Sequence, residues 1–86
     1  MSNRVKKLLR KAIVSAEGLR FQELILLAEA FGFEQSRRKG SHQMFKHAAV
    51  SELLNLQDVG GMAKAYQVRQ FLRLVERYNL CPREKE

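Results

Sequence analysis

The stretch Phe33-Glu34-Gln35-Ser36-Arg37-Arg38-Lys39-Gly40-Ser41-His42-Gln43-Met44-Phe45-Lys46-His47 has no helical period. Lys39-Gly40-Ser41 is a tight-turn sequence between two short runs, the second containing Met44 and Phe45, and this predicts a β-hairpin. A three-residue turn would set Arg38 opposite His42 and Glu34 opposite Lys46, and would put Phe33 on one face with Phe45. That register supplies a cross-strand ion pair and a shared apolar face, so it is preferred to a two-residue loop. Beyond the hairpin, Leu53, Leu54 and Leu56 within the run from Glu52 to Gln57 predict a third strand. Asp58-Val59-Gly60-Gly61 reads as a flexible connection.

Helical periods flank this region on both sides. Val5, Leu8, Leu9, Ala12, Ile13 and Ala16 mark one stripe of an amphipathic helix from Asn3 to Ala16, with Ser2 or Asn3 as cap and Gly18 as stop. Phe21, Leu24, Ile25, Ala28 and Phe31 write a second helix, with Gly32 at its C-terminal cap and no good capping residue at its start. Ala65, Val68, Phe71, Leu72, Val75 and Tyr78 form the stripe of the last helix, and Arg69, Arg73 and Arg77 repeat every fourth residue elsewhere on it. The predicted order is helix, helix, three strands, helix. This is an α+β fold of two layers, a three-stranded antiparallel sheet packed by helices. Residues 1–80 read as one domain, and Pro82 opens a charged tail over residues 81–86.

The 86 residues allow one domain, and a chain this short buries only about 60–65% of its unfolded surface. Apolar residues at 45% and charged residues at 29% fit a globular domain and argue against disorder. The longest central apolar run, Leu24 to Ala28, is far short of the ~20 residues a membrane span needs. Arg4, Lys6, Lys7, Arg10 and Lys11 interrupt any signal-like stretch at the start. Cys81 is the single cysteine, so no internal disulfide forms. A cytoplasmic protein is expected. The net charge of +7 points to a polyanionic partner, nucleic acid being the commonest, rather than a membrane.

Few residues offer chemistry. One Cys and two His cannot complete a structural zinc site of four protein ligands, and no phosphate-binding glycine loop is present, so no metal or cofactor is expected. Cys81, at the end of a helix beside Pro82, reads as an ordinary thiol. His42 follows the turn among Arg37, Arg38 and Lys39. A histidine ordinarily titrates near about 6.5, and with cations holding a phosphate it can take the proton of a ribose 2′-hydroxyl without a metal. The other reading of His42 is a hydrogen bond to its turn. His47 is five residues on, which in a regular strand places it on the opposite face, about 16–17 Å away along the axis. A strand-end hydrogen bond is expected of it. Lys64, with the free N–H groups of a helix start, could bind a phosphate. The row Arg69, Arg73, Arg77 is either a solvated face, a phosphate track or a dock for an acidic protein, and the cluster from Arg4 to Lys11 has the same alternatives. Tyr66 and Phe45 sit at periodic positions that favour packing over base stacking.

The segments Ala28-Glu29-Ala30-Phe31-Gly32-Phe33, Gly40-Ser41-His42-Gln43-Met44-Phe45-Lys46-His47 and Tyr66-Gln67-Val68-Arg69-Gln70-Phe71-Leu72, running on to Glu76-Arg77-Tyr78-Asn79-Leu80, together resemble the HicA family of bacterial toxins. The likeness covers roughly residues 5 to 80. It implies a double-stranded-RNA-binding-domain-like fold and a metal-independent endoribonuclease cutting mRNA. It also implies His42 as the catalytic residue, Gly40 shaping the turn, Ser41 positioning the chain, and inhibition by a HicB-type antitoxin. The chain departs from the family at Ala48-Ala49, where Pro-Gly is frequent, and at Ala65, where proline is common. The helix from Asn3 to Ala16 is an addition to the minimal toxin.

Overall fold

The computed structural model describes residues 2–83. Helix α1 (Asn3–Val14) begins where Ser2 Oγ accepts the Val5 N–H at 3.1 Å. It stops two residues sooner than its stripe predicts, and Ala16–Gly18 form a 3-10 turn instead. Leu8 and Ala12 are buried and Val5 and Leu9 pack beside them, but Ile13 is 65% exposed and belongs to the outer face. The outward side carries Arg4, Lys6, Lys7, Arg10 and Lys11, with no acidic residue in the helix. Like charges meet at Arg4/Lys7, Lys6/Arg10, Lys7/Arg10 and Lys7/Lys11, and each such pair costs roughly 0.2–0.5 kcal/mol. Cations in the first turn also oppose the helix dipole, by about 0.3–1 kcal/mol each.

Helix α2 (Phe21–Ala30) has Arg20 at its N-cap. A tertiary contact and one side chain replace the missing capping residue: the Phe21 N–H reaches Gly61 O at 3.0 Å, and the Arg20 N–H donates to Glu23 Oε1 at 2.9 Å. Glu23 also accepts from Lys11 Nζ at 3.1 Å, tying α1 to α2. At the other end the Gly32 N–H donates to Glu29 O and the Phe33 N–H to Ala28 O, each at 3.0 Å, with Gly32 at φ +96°. Gly32 ends the helix as the sequence predicts, and the bonds make the cap a Schellman motif. A Cβ on Gly32 would also lie 2.9 Å from His47 Nε2, so the position excludes side chains twice over.

Four strands follow, one more than predicted: β1 (Glu34–Lys39), β2 (His42–His47), β3 (Val50–Val59) and β4 (Met62–Ala63). They form an antiparallel sheet in the order β1-β2-β3-β4. The third strand is longer than expected at both ends. Asp58 and Val59 pair with Ala63 and Met62, so the presumed flexible connection is a tight turn at Gly60-Gly61. The hairpin register also differs. Lys39 pairs with His42, Arg38 with Gln43 and Arg37 with Met44, across a two-residue turn of Gly40 and Ser41. A bulge between Gln35 and Arg37 then absorbs one residue, and Glu34 faces Lys46 as predicted. The expected ion pair between them is not among those of the described residues, where Glu34 pairs with Arg83 instead.

Helix α3 (Ala65–Arg77) completes the fold. Val68, Phe71 and Leu74 bury against Leu54 and Leu56 of β3, Phe45 of β2, and Leu24, Leu27 and Ala28 of α2. The Phe71 ring meets Phe31 edge-on at 5.6 Å and Phe33 at 6.1 Å. Phe33 and Phe45 share the core, as the common apolar face requires. All helices therefore lie on one side of the sheet, giving an α+β fold with a Cα radius of gyration of 11.9 Å. That is the roughly 12 Å expected of one folded unit this long. Past α3 the chain returns to the domain: the Arg83 N–H donates to Ala30 O at 2.7 Å and its guanidinium lies 3.5 Å from Glu34. The last part of the expected tail, 84–86, lies outside the described residues.

The acidic anchors define an acid limit. Glu23 is held below the usual carboxylate range, first by the Arg20 N–H and then by Lys11. Glu52 is lowered first by its hydrogen bond from the Tyr78 hydroxyl, with Ser51 and Arg77 adding to it. A carboxylate with a depressed folded pKa stabilises fully above its unfolded value, and the contribution disappears as pH falls through the folded one. The unfolding midpoint should therefore be flat near neutrality and drop below about pH 4.3. Glu23→Ala should cost about 1 kcal/mol in urea denaturation at pH 7, a cap's worth, and show a shallower acid limb. An unchanged limb would separate Glu23 from acid stability.

Candidate nucleic-acid interface

Among the described residues, no helix covers the sheet face away from α1, α2 and α3. Side chains alternate along a strand and directly opposed residues share a face, so the register assigns each one. Phe45 and Leu54, and Gln43 and Leu56, point to the core side. His42, Met44, Asn55 and Gln57 therefore point outward, with Lys39 beside His42 and Arg37 beside Met44. Lys46 and Glu34 extend this face towards the far end of the hairpin. Arg38 was expected opposite His42. The two-residue turn moves it to the other face, opposite Gln43, and Lys39 takes its place.

His42 is exposed at the first position of β2, between Lys39 and Gln57 on the flanking strands. No side-chain hydrogen bond holds it among the described residues. The turn before it is held without its help. Gly40 takes φ +60° with open space around it, the conformation that the first position of a two-residue type II′ turn demands. Ser41 O accepts the Asp58 N–H at 3.1 Å, and Ser41 Oγ accepts Gln57 Nε2 at 3.4 Å.

Gln57 is in turn fixed from inside the domain. Its N–H donates to Gln67 Oε1 at 2.8 Å, and Gln67 is only 4% exposed. This buried amide ties the strand opposite His42 to the first turn of α3, where the Gln67 N–H donates to Lys64 O. Lys64 is the N-cap residue, half-buried, with its ammonium 5.7 Å from the Tyr66 ring. Gln57 and Gln67 were not singled out from the sequence. The available signal was Gln67 at a core position of the α3 stripe, four residues before Phe71, where a polar side chain must find a partner.

The other predicted residues divide. His47 faces the core and makes the expected strand-end contacts. Its Nδ1 accepts the Ala49 N–H at 2.9 Å, so Nε2 carries the proton and donates to Phe31 O at 3.0 Å. The ring also meets Phe33 edge-on at 5.1 Å. It clips the end of α2 to the turn at Ala48-Ala49 and shares no site with His42. On α3, Arg69 pairs with Glu17 at 2.8 Å, and Arg77 with Glu52 at 3.4 Å. Arg73 alone in that row has no carboxylate partner among the described residues, and it lines a shallow groove of about 390 Å³ with Glu52, Gln70 and Leu74. The row lies on the helical side and is not continuous with the open sheet face. Phe45 is buried as expected, whereas Tyr66, expected to pack, is 59% exposed in the first turn of α3.

Comparison with known protein families, curated proteins and solved structures finds no match to this chain. No helix among the described residues is long and apolar enough to cross a membrane.

Proposed function

We propose that the protein is a HicA-type toxin, a cytoplasmic endoribonuclease on a double-stranded-RNA-binding-domain-like fold that cleaves mRNA and is masked by a HicB-type antitoxin. The observation that carries this reading is the exposed, unbonded imidazole of His42 on an open face, with Lys39 opposite it and Arg37 on the same side of the hairpin. Geometry of this kind supports metal-independent transphosphorylation. His42 takes the proton of a ribose 2′-hydroxyl, and the 2′-oxygen attacks the adjacent phosphorus. The P–O5′ bond breaks as the departing 5′-oxygen takes a proton from Lys39 or a water, leaving a 2′,3′-cyclic phosphate and a 5′-hydroxyl. Lys39 and Arg37 hold the phosphate and offset charge on its non-bridging oxygens. Gly40 shapes the turn and Ser41, bonded to Asp58 and Gln57, positions the chain beside it. Lys64 is a further phosphate contact at the start of α3.

An acidic antitoxin surface laid over the same face would exclude RNA and satisfy its cations together. Of the α3 row, Arg69 and Arg77 already have carboxylates and Arg73 has none among the described residues, so Arg73 is the one to meet a partner that also reaches round to the helical side.

A second reading has one observation in its favour: both ring nitrogens of His47 are engaged, so the protein offers no second free imidazole as the acid. On that reading the face binds RNA without cutting it. Incubation with single-stranded RNA in EDTA decides. Fragments ending in 2′,3′-cyclic phosphate are expected. Salt-sensitive binding with intact RNA would select the binding module instead.

A further inference from the structure

Helix α1 is not used by the proposed reaction, yet it holds the densest charge in the molecule. Its apolar residues Leu8 and Ala12 are buried, and the helix packs on α2, α3 and the 3-10 turn rather than on the sheet. Arg4, Lys6, Lys7, Arg10 and Lys11 thus project from the helical side, away from His42. Only Lys11 has a carboxylate within ion-pair distance among the described residues. A face serving solvation alone commonly alternates acids and bases at helical spacing. Here cations neighbour cations, and Arg4 and Lys6 sit in the first turn, where the dipole disfavours them. A negatively charged partner relieves both strains at once.

We infer that the outer face of α1 is a second nucleic-acid-binding surface that contacts the phosphate backbone without reading sequence or sugar. A lipid surface fits poorly, because the apolar stripe that would enter it is spent on the core. An acidic protein fits less well than nucleic acid, because lysine is depleted at protein interfaces and three of the five cations are Lys6, Lys7 and Lys11. Apolar anchoring is limited to Ile13 and Val14 at the helix end. With the open sheet face on one side and α1 on the other, one RNA chain bound at both gains from the raised effective concentration of the second contact.

The test is fluorescence anisotropy with a labelled RNA oligonucleotide and a DNA of the same sequence, in a His42→Ala background that prevents cleavage. Replacing Lys6, Lys7 and Arg10 together by alanine should weaken both nucleic acids at least about tenfold at low salt. It should also reduce the slope of log K against log salt by roughly 2, three phosphate contacts at about 0.7 each. The same variant should unfold at an equal or higher temperature, since it removes repulsion, which separates lost binding from lost fold. Unchanged affinity and slope in the folded variant would overturn the inference, and so would a loss confined to RNA. Sedimentation with phosphatidylglycerol–phosphatidylcholine vesicles, in the absence of nucleic-acid binding through α1, would overturn it in favour of a membrane. None of these outcomes depends on catalysis: a wild type that cuts no RNA removes the nuclease reading and leaves the inference standing.

Discussion

His42→Ala is expected to abolish RNA cleavage while leaving the fold and RNA affinity almost intact. The side chain is exposed and makes no hydrogen bond among the described residues, and the turn is held by Ser41, Gln57 and Asp58 without it. On the proposed reading its loss removes only the proton acceptor, and positioned general bases contribute about 10²- to 10⁴-fold to rate. Fragment analysis beside a thermal melt reads both halves of the expectation. His47→Ala supplies the contrast. It deletes the bond from Ala49 and the bond to Phe31 O, so its effect should appear in stability, at about 1–3 kcal/mol, with cleavage retained. If His42→Ala cut RNA as well as wild type, His42 would have no part in the chemistry. A reversed pattern would move the reaction to the core side of the sheet.

Phe71→Ala should have the largest effect on folding. Phe71 is fully buried and its ring joins α3 to Phe31 at the end of α2 and to Phe33 at the base of the hairpin. Truncating a core phenylalanine costs about 3–5 kcal/mol, transfer and cavity together. A domain of this length has roughly 4–13 kcal/mol in all. The midpoint should fall by more than about 10 °C, and at body temperature much of the variant could be unfolded. Phe71→Leu should lose distinctly less. Equal melting of Phe71→Ala and wild type would mean that the aromatic cluster is not the core.

These residues also show what could be read before the structure. The α3 stripe was legible because a period of 3.6 repeats over three turns, and Phe71 lies at its centre. The glycine stop of α2 was legible because Gly32 ends an apolar period, a local signal. Strand β4 was not, since two residues, Met62 and Ala63, carry no period, and their pairing depends on Val59, Asp58 and the bridge to Arg20. The start of α2 at Phe21 was legible from its stripe, but not what caps it: the cap comes from Gly61, forty residues away in the chain, and from Glu23. The hairpin error has a geometric cause. A three-residue turn, and a two-residue turn followed by a bulge at Ser36, set Glu34 opposite Lys46 alike, so the opposite charges that suggested the register could not distinguish them. The choice matters at the site, because it exchanges Arg38 for Lys39 beside His42. The His42 face itself was legible from the turn and the alternation of β2, whereas Gln57 and Gln67 needed the tertiary contact.

The edge of the sheet carries a further consequence. All six residues of β1 are exposed, and among the described residues no strand pairs with its outer side. Such an edge offers a row of unpaired N–H and C=O groups to a second copy of the chain. Arg37, Arg38 and Lys39 set mutual repulsion against that pairing, and the bulge at Ser36 breaks its flatness. On the proposed reading, two of those cations also hold the phosphate. If that reading holds, a lineage that discards them to silence a nuclease uncovers a sticky strand, and that route ends in self-association. Loss of His42 carries no such penalty, which makes the imidazole the safer residue to lose.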